Sequence, residues 1–163
     1  MKLAYPVISE KIKIVPHDIS HAKNTKPVAT KEKRSAGLTI GVLGNINVAK
    51  GGLLLEKLSN YYRKFVNDIR IVVIGDVDPS INIKKPSIIH GRYEVCDLNS
   101  LIDKYEIDLW LFPSIWPETF SYVIHECMIT QLPVMCFNLG AQADAVIKYS
   151  KGIILNCDYT STD

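Results

Sequence analysis

From Gly37 onward, short apolar runs and amphipathic stretches alternate along this chain without interruption, and this constrains its fold more than any other feature. Leu38–Leu43 is an apolar run closed by Gly44. Gly52–Phe65 is amphipathic, with Leu54, Leu55, Leu58, Tyr61, Tyr62 and Phe65 on one side. Ile69–Ile74 is a second apolar run closed by Gly75, and Pro86–His90 is a third, shorter one. Asp97–Tyr105 reads as a helix with Asp97 at its N-cap. Then come a strand at Asp108–Phe112, a helix at Thr119–Thr130, a strand at Pro133–Phe137, a helix from Ala141 to Ser150 and a strand at Gly152–Leu155. The order is β-α-β-β-α-β-α-β-α-β. Strands that are apolar throughout, rather than alternating, belong to a parallel sheet covered on both faces. The expected fold is therefore an open, doubly wound α/β sheet, which binds ligands outside the carboxyl ends of its strands. The turns Gly44–Gly52, Gly75–Pro79, His90–Tyr93, Pro113–Phe120 and Asn138–Ala141 would gather at that edge.

At 163 residues the chain is one domain's worth, and 47% hydrophobic against 22% charged residues suffices for a core. A net charge of +2 argues against a nucleic-acid binder. The basic excess lies in the leader, where residues 1–34 hold eight Lys/Arg against three Asp/Glu. That leader reads as a solvated linker or as an arm drawn to phosphates or a membrane surface. Lys11–Val15 alternates like a short strand ending at Pro16, and residues 17–37 are a polar linker. The organisation expected is a leader at 1–36, a domain at 37–157 and a tail at 158–163. Cys96, Cys127, Cys136 and Cys157 lack the spacing of a zinc site or redox dithiol. Cys127 and Cys136 sit in apolar patterns and read as buried free thiols, suited to a reducing cytoplasm. No apolar run approaches the roughly 18 residues of a membrane span, so any membrane association would be peripheral, at the inner face.

The chemistry concentrates in Phe112-Pro-Ser-Ile-Trp-Pro-Glu-Thr-Phe-Ser-Tyr-Val-Ile-His-Glu126. Glu118 lies in a turn after an apolar strand, and Glu126 lies about two turns into the helix that follows. Free N–H groups at that helix start favour an anion such as phosphate. The first strand exits into Gly44-Asn-Ile-Asn-Val-Ala-Lys50-Gly51-Gly52, glycines at both ends and a lysine where the next helix begins. Glycine admits a ligand close to the backbone, and an ammonium beside helix N–H groups suits a diphosphate. This is neither a Walker A loop nor a dinucleotide fingerprint. Taken singly, Lys50 also reads as a solvated lysine, Glu118 as a helix-start carboxylate and Glu126 as an exposed helix residue. His125 reads as a packed or surface histidine, and Trp116 and Phe120 as core or lid packing. Gly91-Arg92-Tyr93 borders either a base, a phosphate or solvent. No Ser/His/Asp, Cys/His or metal-ligand arrangement appears.

In combination these residues resemble the C-terminal, nucleotide-sugar-binding domain of retaining glycosyltransferases of the GT-B fold, glycosyltransferase family 4 / group 1 type. Val42-Leu-Gly44 with Lys50-Gly51 resembles the family's phosphate loop. Glu118 to Glu126 resembles its paired-glutamate motif, and Leu132-Pro-Val-Met-Cys-Phe-Asn-Leu-Gly140 resembles its Gly-x-Pro-Val strand and turn. The resemblance spans Lys11 to Asn156 and implies a Rossmann-like half of a GT-B fold. It implies that Glu118 touches the donor sugar, Glu126 the ribose, and Lys50 the diphosphate. Gly44, Asn45, Gly51 and Arg92 would border the phosphates or base, and Thr119, Phe120, Ser121 and Tyr122 would bind sugar and phosphate through their backbone N–H groups. It implies no cofactor and no metal. The partners implied are a nucleotide sugar, an acceptor-binding N-terminal domain and a glycan or lipid-linked acceptor of polysaccharide or O-antigen type. Two positions depart from the pattern: Asn45 stands where most members have Arg, and Gln131 where glycine is usual. The chain then reads as an excised domain of a longer enzyme, inactive alone. A binding module with a decayed donor site is the competing expectation.

Overall fold

The computed structural model describes residues 37–66 and 68–156, together with Val15, His17 and Asp18. The strand expected at Lys11–Val15 lies outside the described residues except for Val15, which is exposed and in no strand; most of the linker and Cys157 lie outside as well. Six strands form one sheet: β1 (Leu38–Leu43), β2 (Ile69–Ile74), β3 (Ile88–Gly91), β4 (Leu109–Phe112), β5 (Val134–Phe137) and β6 (Gly152–Leu155). Between them run α1 (Gly52–Phe65), α2 (Leu98–Tyr105, entered through a 3-10 turn at Val95–Asp97), α3 (Tyr122–Ile129) and α4 (Gly140–Ile147). The sheet order is β3-β2-β1-β4-β5-β6 and every pairing of neighbouring strands is parallel.

The period-2 alternation of side chains splits the core between the two faces. On one face Leu43, Val72, Ile74, Trp110, Phe112, Val134 and Cys136 pack with Leu98, Leu101 and Ile102 of α2, Ile124 and Cys127 of α3 and Val146 of α4. On the other, Ile40, Val42, Ile71, Val73 and Leu111 pack with Leu55 of α1 and with Ile46 and Ile81. Trp110 is fully buried and donates its indole N–H to Thr130 Oγ1 at 2.9 Å, so its one polar group is satisfied. β1 has β2 on one side and β4 on the other, which makes the carboxyl end of the β1/β4 pair the point where the winding reverses.

The bounds of β1, α1, β2 and β6 match the sequence expectation. Others differ for local reasons. Asp97 is not a capping residue: its backbone is already helical (φ −83°, ψ −13°) and its side chain makes no cap bond. β3 begins at Ile88 rather than Pro86, since Pro86 has no N–H for a ladder and Ser87 uses its hydroxyl to accept from Ile71 N–H at 3.3 Å. α1 turns Leu55, Leu58 and Tyr62 inward, while Tyr61 and Phe65 are exposed, their rings 5.1 Å apart. α3 begins at Tyr122, three residues later than expected, because the backbone at Glu118 is engaged elsewhere.

Candidate functional site

The loop after β1 folds back on itself. Ile46 is buried and bridges to Val77, and Asn47 Oδ1 accepts the Lys50 N–H at 3.0 Å. Gly51 sits in the left-handed region at φ 78°, and a Cβ there would overlap the Pro113 carbonyl. A residue without a side chain is thus what lets the β1 loop touch the β4 loop. The Ile115 N–H donates to Ala49 O at 3.2 Å and joins the same two loops. Lys50 is carried to this junction by the start of α1.

The β4 loop runs through Glu118 to Ser121 and is held by α4. Glu118 N–H donates to Gln142 Oε1 at 3.1 Å, and Glu118 O accepts from Ala141 N–H at 2.9 Å. Gln142 also donates Nε2–H to Trp116 O at 3.0 Å, and its side chain is fully buried. A Cβ on Gly140 would lie 2.9 Å from both backbone polar atoms of Glu118, so α4 starts in direct contact with the loop. The Glu118 C=O, which would accept the first bond of a helix starting at Thr119, is taken by Ala141 N–H, and α3 starts only after the extended Ser121. The Glu118 carboxylate points at Lys50: Nζ is 3.6 Å from Oε1, and that oxygen is buried with no hydrogen-bond partner.

Thr119 is exposed, Phe120 half-buried and Ser121 buried. Ser121 is the extended residue before α3, yet no side chain caps the helix, and no acidic residue occupies its first turn. Gly44 lies beneath this start, with a Cβ there falling 3.2 Å from Val123 Cγ2. Phe120 is sandwiched between rings, stacked on His125 at 4.8 Å and on His17 at 4.2 Å; His17 Nδ1 is also 3.1 Å from the Tyr122 hydroxyl. His125 Nδ1 is 2.8 Å from Ser121 O, which fits its reading as a packed histidine. Trp116, by contrast, is 66% exposed and belongs to no core.

Glu126 lies just over one turn into α3, not two as the longer helix implied. It is buried at 6% exposure, which corrects its reading as an exposed helix residue, and its Oε2 accepts from the Tyr93 hydroxyl at 3.0 Å. Burial, with the Glu126 charge beside it, pushes the Tyr93 phenol well above its ordinary value. Asn45 and Arg92 belong to a separate group around Asp76. Asn45 Oδ1 accepts the Asp76 N–H at 3.4 Å, and Arg92 Nε donates to Asp76 Oδ2 at 3.0 Å from an almost fully exposed side chain. Among the described residues no group of three or more His, Cys, Asp or Glu gathers as a metal site. No described helix is long and apolar enough to cross a membrane.

The structure brings Lys50 and Glu118 of the sequence candidates together and sets Glu126 against Tyr93, while the contacts made by Gln142, Asp76 and His17 were not anticipated from the sequence. Gln142 alone left a signal, a lone amide among Ala141, Ala143, Ala145 and Val146 on a short apolar helix.

The family model for glycosyl transferases group 1 matches residues 37–161, most of the chain and all of the sheet. The chain is a member of the group 1 glycosyl transferases. No curated protein matches it. Among solved structures, the C-terminal domain of the glycosyl transferase group 1 family protein LpcC from Francisella tularensis is 19% identical. That match covers 84% of this chain and 80% of that one with a TM-score of 0.56. HepE from Anabaena, solved in complex with UDP-glucose, is 18% identical over 75% of this chain and 35% of its own, with a TM-score of 0.57. Sucrose-phosphate synthase from Thermosynechococcus elongatus is 19% identical over 83% and 37%, with a TM-score of 0.60. This group 1 glycosyl transferase chain thus shares the fold of a C-terminal GT-B domain and spans little more than a third of the longer two structures.

Proposed function

We propose that this chain is the donor-binding domain of a glycosyltransferase that moves a sugar from a nucleotide-diphosphate sugar to a glycan or lipid-linked acceptor, of polysaccharide or O-antigen type. The observation that carries this is the convergence of the Lys50 ammonium and a buried, underused Glu118 oxygen at the point where the sheet reverses its winding. A cation beside a carboxylate suits a ligand that is anionic at one end and rich in hydroxyls at the other.

In this reading Lys50 neutralises the diphosphate, Gly44 and Gly51 let it approach the backbone, and Asn45 borders it from the neighbouring Asp76 group. Negative charge on the departing diphosphate grows in the transition state, so the fixed ammonium and the N–H groups around Thr119, Phe120, Ser121 and Tyr122 lower the barrier. Glu118 accepts from sugar hydroxyls and Glu126 from the ribose. Arg92 borders the base or phosphate. The positive charge needed comes from side chains and backbone, so the reading calls for no metal. The acceptor-binding half is a separate domain, and the chain alone binds donor without turnover, in the cytoplasm and peripherally at the inner membrane face. A second reading, a nucleotide-binding module without catalysis, draws on Asn45 in place of the usual Arg and on the pairing of Arg92 with Asp76.

The test is calorimetry and thermal shift with UDP, GDP, ADP and dTDP and their common sugar conjugates. UDP is the natural first probe, given the UDP-glucose complex of HepE. Binding of one diphosphate, tightened by one sugar, is expected. Absence of binding to all of them, in this chain and in one joined to its acceptor-binding domain, would refute the donor-site reading.

A further inference from the structure

We infer that Tyr93 is a positioning residue for the nucleotide's ribose: its hydroxyl locks the Glu126 carboxylate into the one orientation that meets the sugar hydroxyls. The inference rests on the donor-site reading above and adds a residue to it.

Glu126 is 6% exposed, and its neighbours Ile124 and Cys127 are core residues. A carboxylate so placed costs several kcal/mol unless it is hydrogen-bonded. Tyr93 supplies a hydrogen bond, its hydroxyl 3.0 Å from Glu126 Oε2. The two residues come from different parts of the sheet. Tyr93 follows β3 at the sheet's outer edge, whereas Glu126 rides on α3 behind β4. Their contact therefore crosses the carboxyl edge under which a nucleotide would lie.

Geometry makes Tyr93 suited to fixing a partner. Tyr93 packs against the core cluster to which Leu98, Ile124 and Cys127 belong. With only two side-chain torsions, a packed ring leaves the hydroxyl little freedom. Glutamate has three side-chain torsions, so each added contact narrows the orientations of its carboxylate. Fixing Oε2 fixes the plane of the carboxylate and so the direction from which a diol can approach. A preorganised acceptor spares the ligand the cost of ordering it. Burial and the Glu126 charge raise the phenol above its ordinary value, so Tyr93 stays protonated, and a donor, at neutral pH.

The experiment compares a ribonucleoside diphosphate with its 2′-deoxy counterpart in wild type, Tyr93→Phe and Glu126→Ala, using whichever of UDP, GDP and ADP binds best. Phenylalanine retains the ring and its packing. Wild type should prefer the ribose form, and Tyr93→Phe should cut that preference by about tenfold, the worth of roughly one charged hydrogen bond. A merely structural tyrosine would lower the melting temperature and weaken both ligands equally, which would overturn the inference. If Glu126→Ala erases the preference while Tyr93→Phe preserves it, the ribose role of Glu126 stands and the positioning role falls. If wild type shows no ribose preference, or binds no diphosphate, both fall together.

Discussion

The ammonium of Lys50 stands 3.6 Å from Oε1 of Glu118, close enough for charge attraction and too far for a hydrogen bond. The carboxylate oxygen is buried and has no donor, while Lys50 retains 39% of its side-chain exposure. Both groups are held by backbone contacts rather than by each other: Gly51 presses the Lys50 loop on Pro113, and α4 grips Glu118. A pair poised but not closed is able to admit a ligand between its members without first breaking a strong bond.

The two charges should therefore separate cleanly in binding. Lys50→Ala should weaken a nucleoside diphosphate by about ten- to a hundredfold, as expected for loss of hydrogen bonds to a charged group, and leave the bare nucleoside nearly unchanged. Glu118→Ala should spare the diphosphate, which gains a less encumbered cation, and weaken the nucleotide sugar. Calorimetry with nucleoside, diphosphate and sugar conjugate reads all three. Equal losses across the ligand series for either variant would contradict the assignment.

The thiols predict an alkaline limit to stability. Cys127 and Cys136 are buried, and burial pushes the Cys136 thiol up to about 11 and the Cys127 thiol well above its ordinary value, with the Glu126 charge adding to the latter. An unfolded thiol ionises near 9.0. Between pH 9 and 11 the unfolded chain has lost protons that the folded chain keeps, so stability falls as pH rises through that window and is unaffected below it. Urea midpoints at pH 8, 9 and 10 check this, with Cys136→Ala expected to flatten the decline. At pH 8 the exposed Cys96 should alkylate while Cys127 and Cys136 stay protected in the folded state. Rapid labelling of all three without denaturant would count against the packing described.

Much of the fold was legible because burial on both faces of a parallel sheet writes itself into sequence as apolar runs. Ile69–Ile74 needed no tertiary context to be read as a strand. Lys50, Glu118 and Glu126 could be singled out as candidates because a charged residue placed beside a turn or helix start stands out by type and spacing. What escaped detection depends on contacts between distant segments. α3 starts late where the Glu118 C=O is spent on Ala141 of α4, and nothing local to Glu118 announces that. Helical periodicity at Phe120–Met128 was real, but periodicity reports which residues face the core, not where a helix begins. Glu126 looked exposed because its donor, Tyr93, lies on another strand's loop. Tyr61 and Phe65 looked inward because a helical stripe of large residues does not say which part of it the sheet will cover.

Gln142 offers the sharpest test of how the Glu118 loop is held. Its amide is fully buried and uses both ends, accepting from Glu118 N–H and donating to Trp116 O. The amide acts as a strut between α4 and two positions of the loop. Gln142→Leu keeps the volume close and removes both bonds, leaving the Glu118 N–H without its partner. The cost should be on the order of 2–4 kcal/mol, combining two lost hydrogen bonds with the desolvation of an unpaired amide. Denaturant titration measures it. Function gives the second readout: with the loop loosened, Glu118 loses its fixed position while Lys50, anchored through Asn47 and Gly51, does not. Affinity for a nucleotide sugar should then fall toward that of the plain diphosphate, and the diphosphate itself should bind as before. A variant that keeps wild-type stability and still distinguishes sugar conjugate from diphosphate would mean that the backbone bond from Ala141 and the contact at Gly140 hold the loop without the amide.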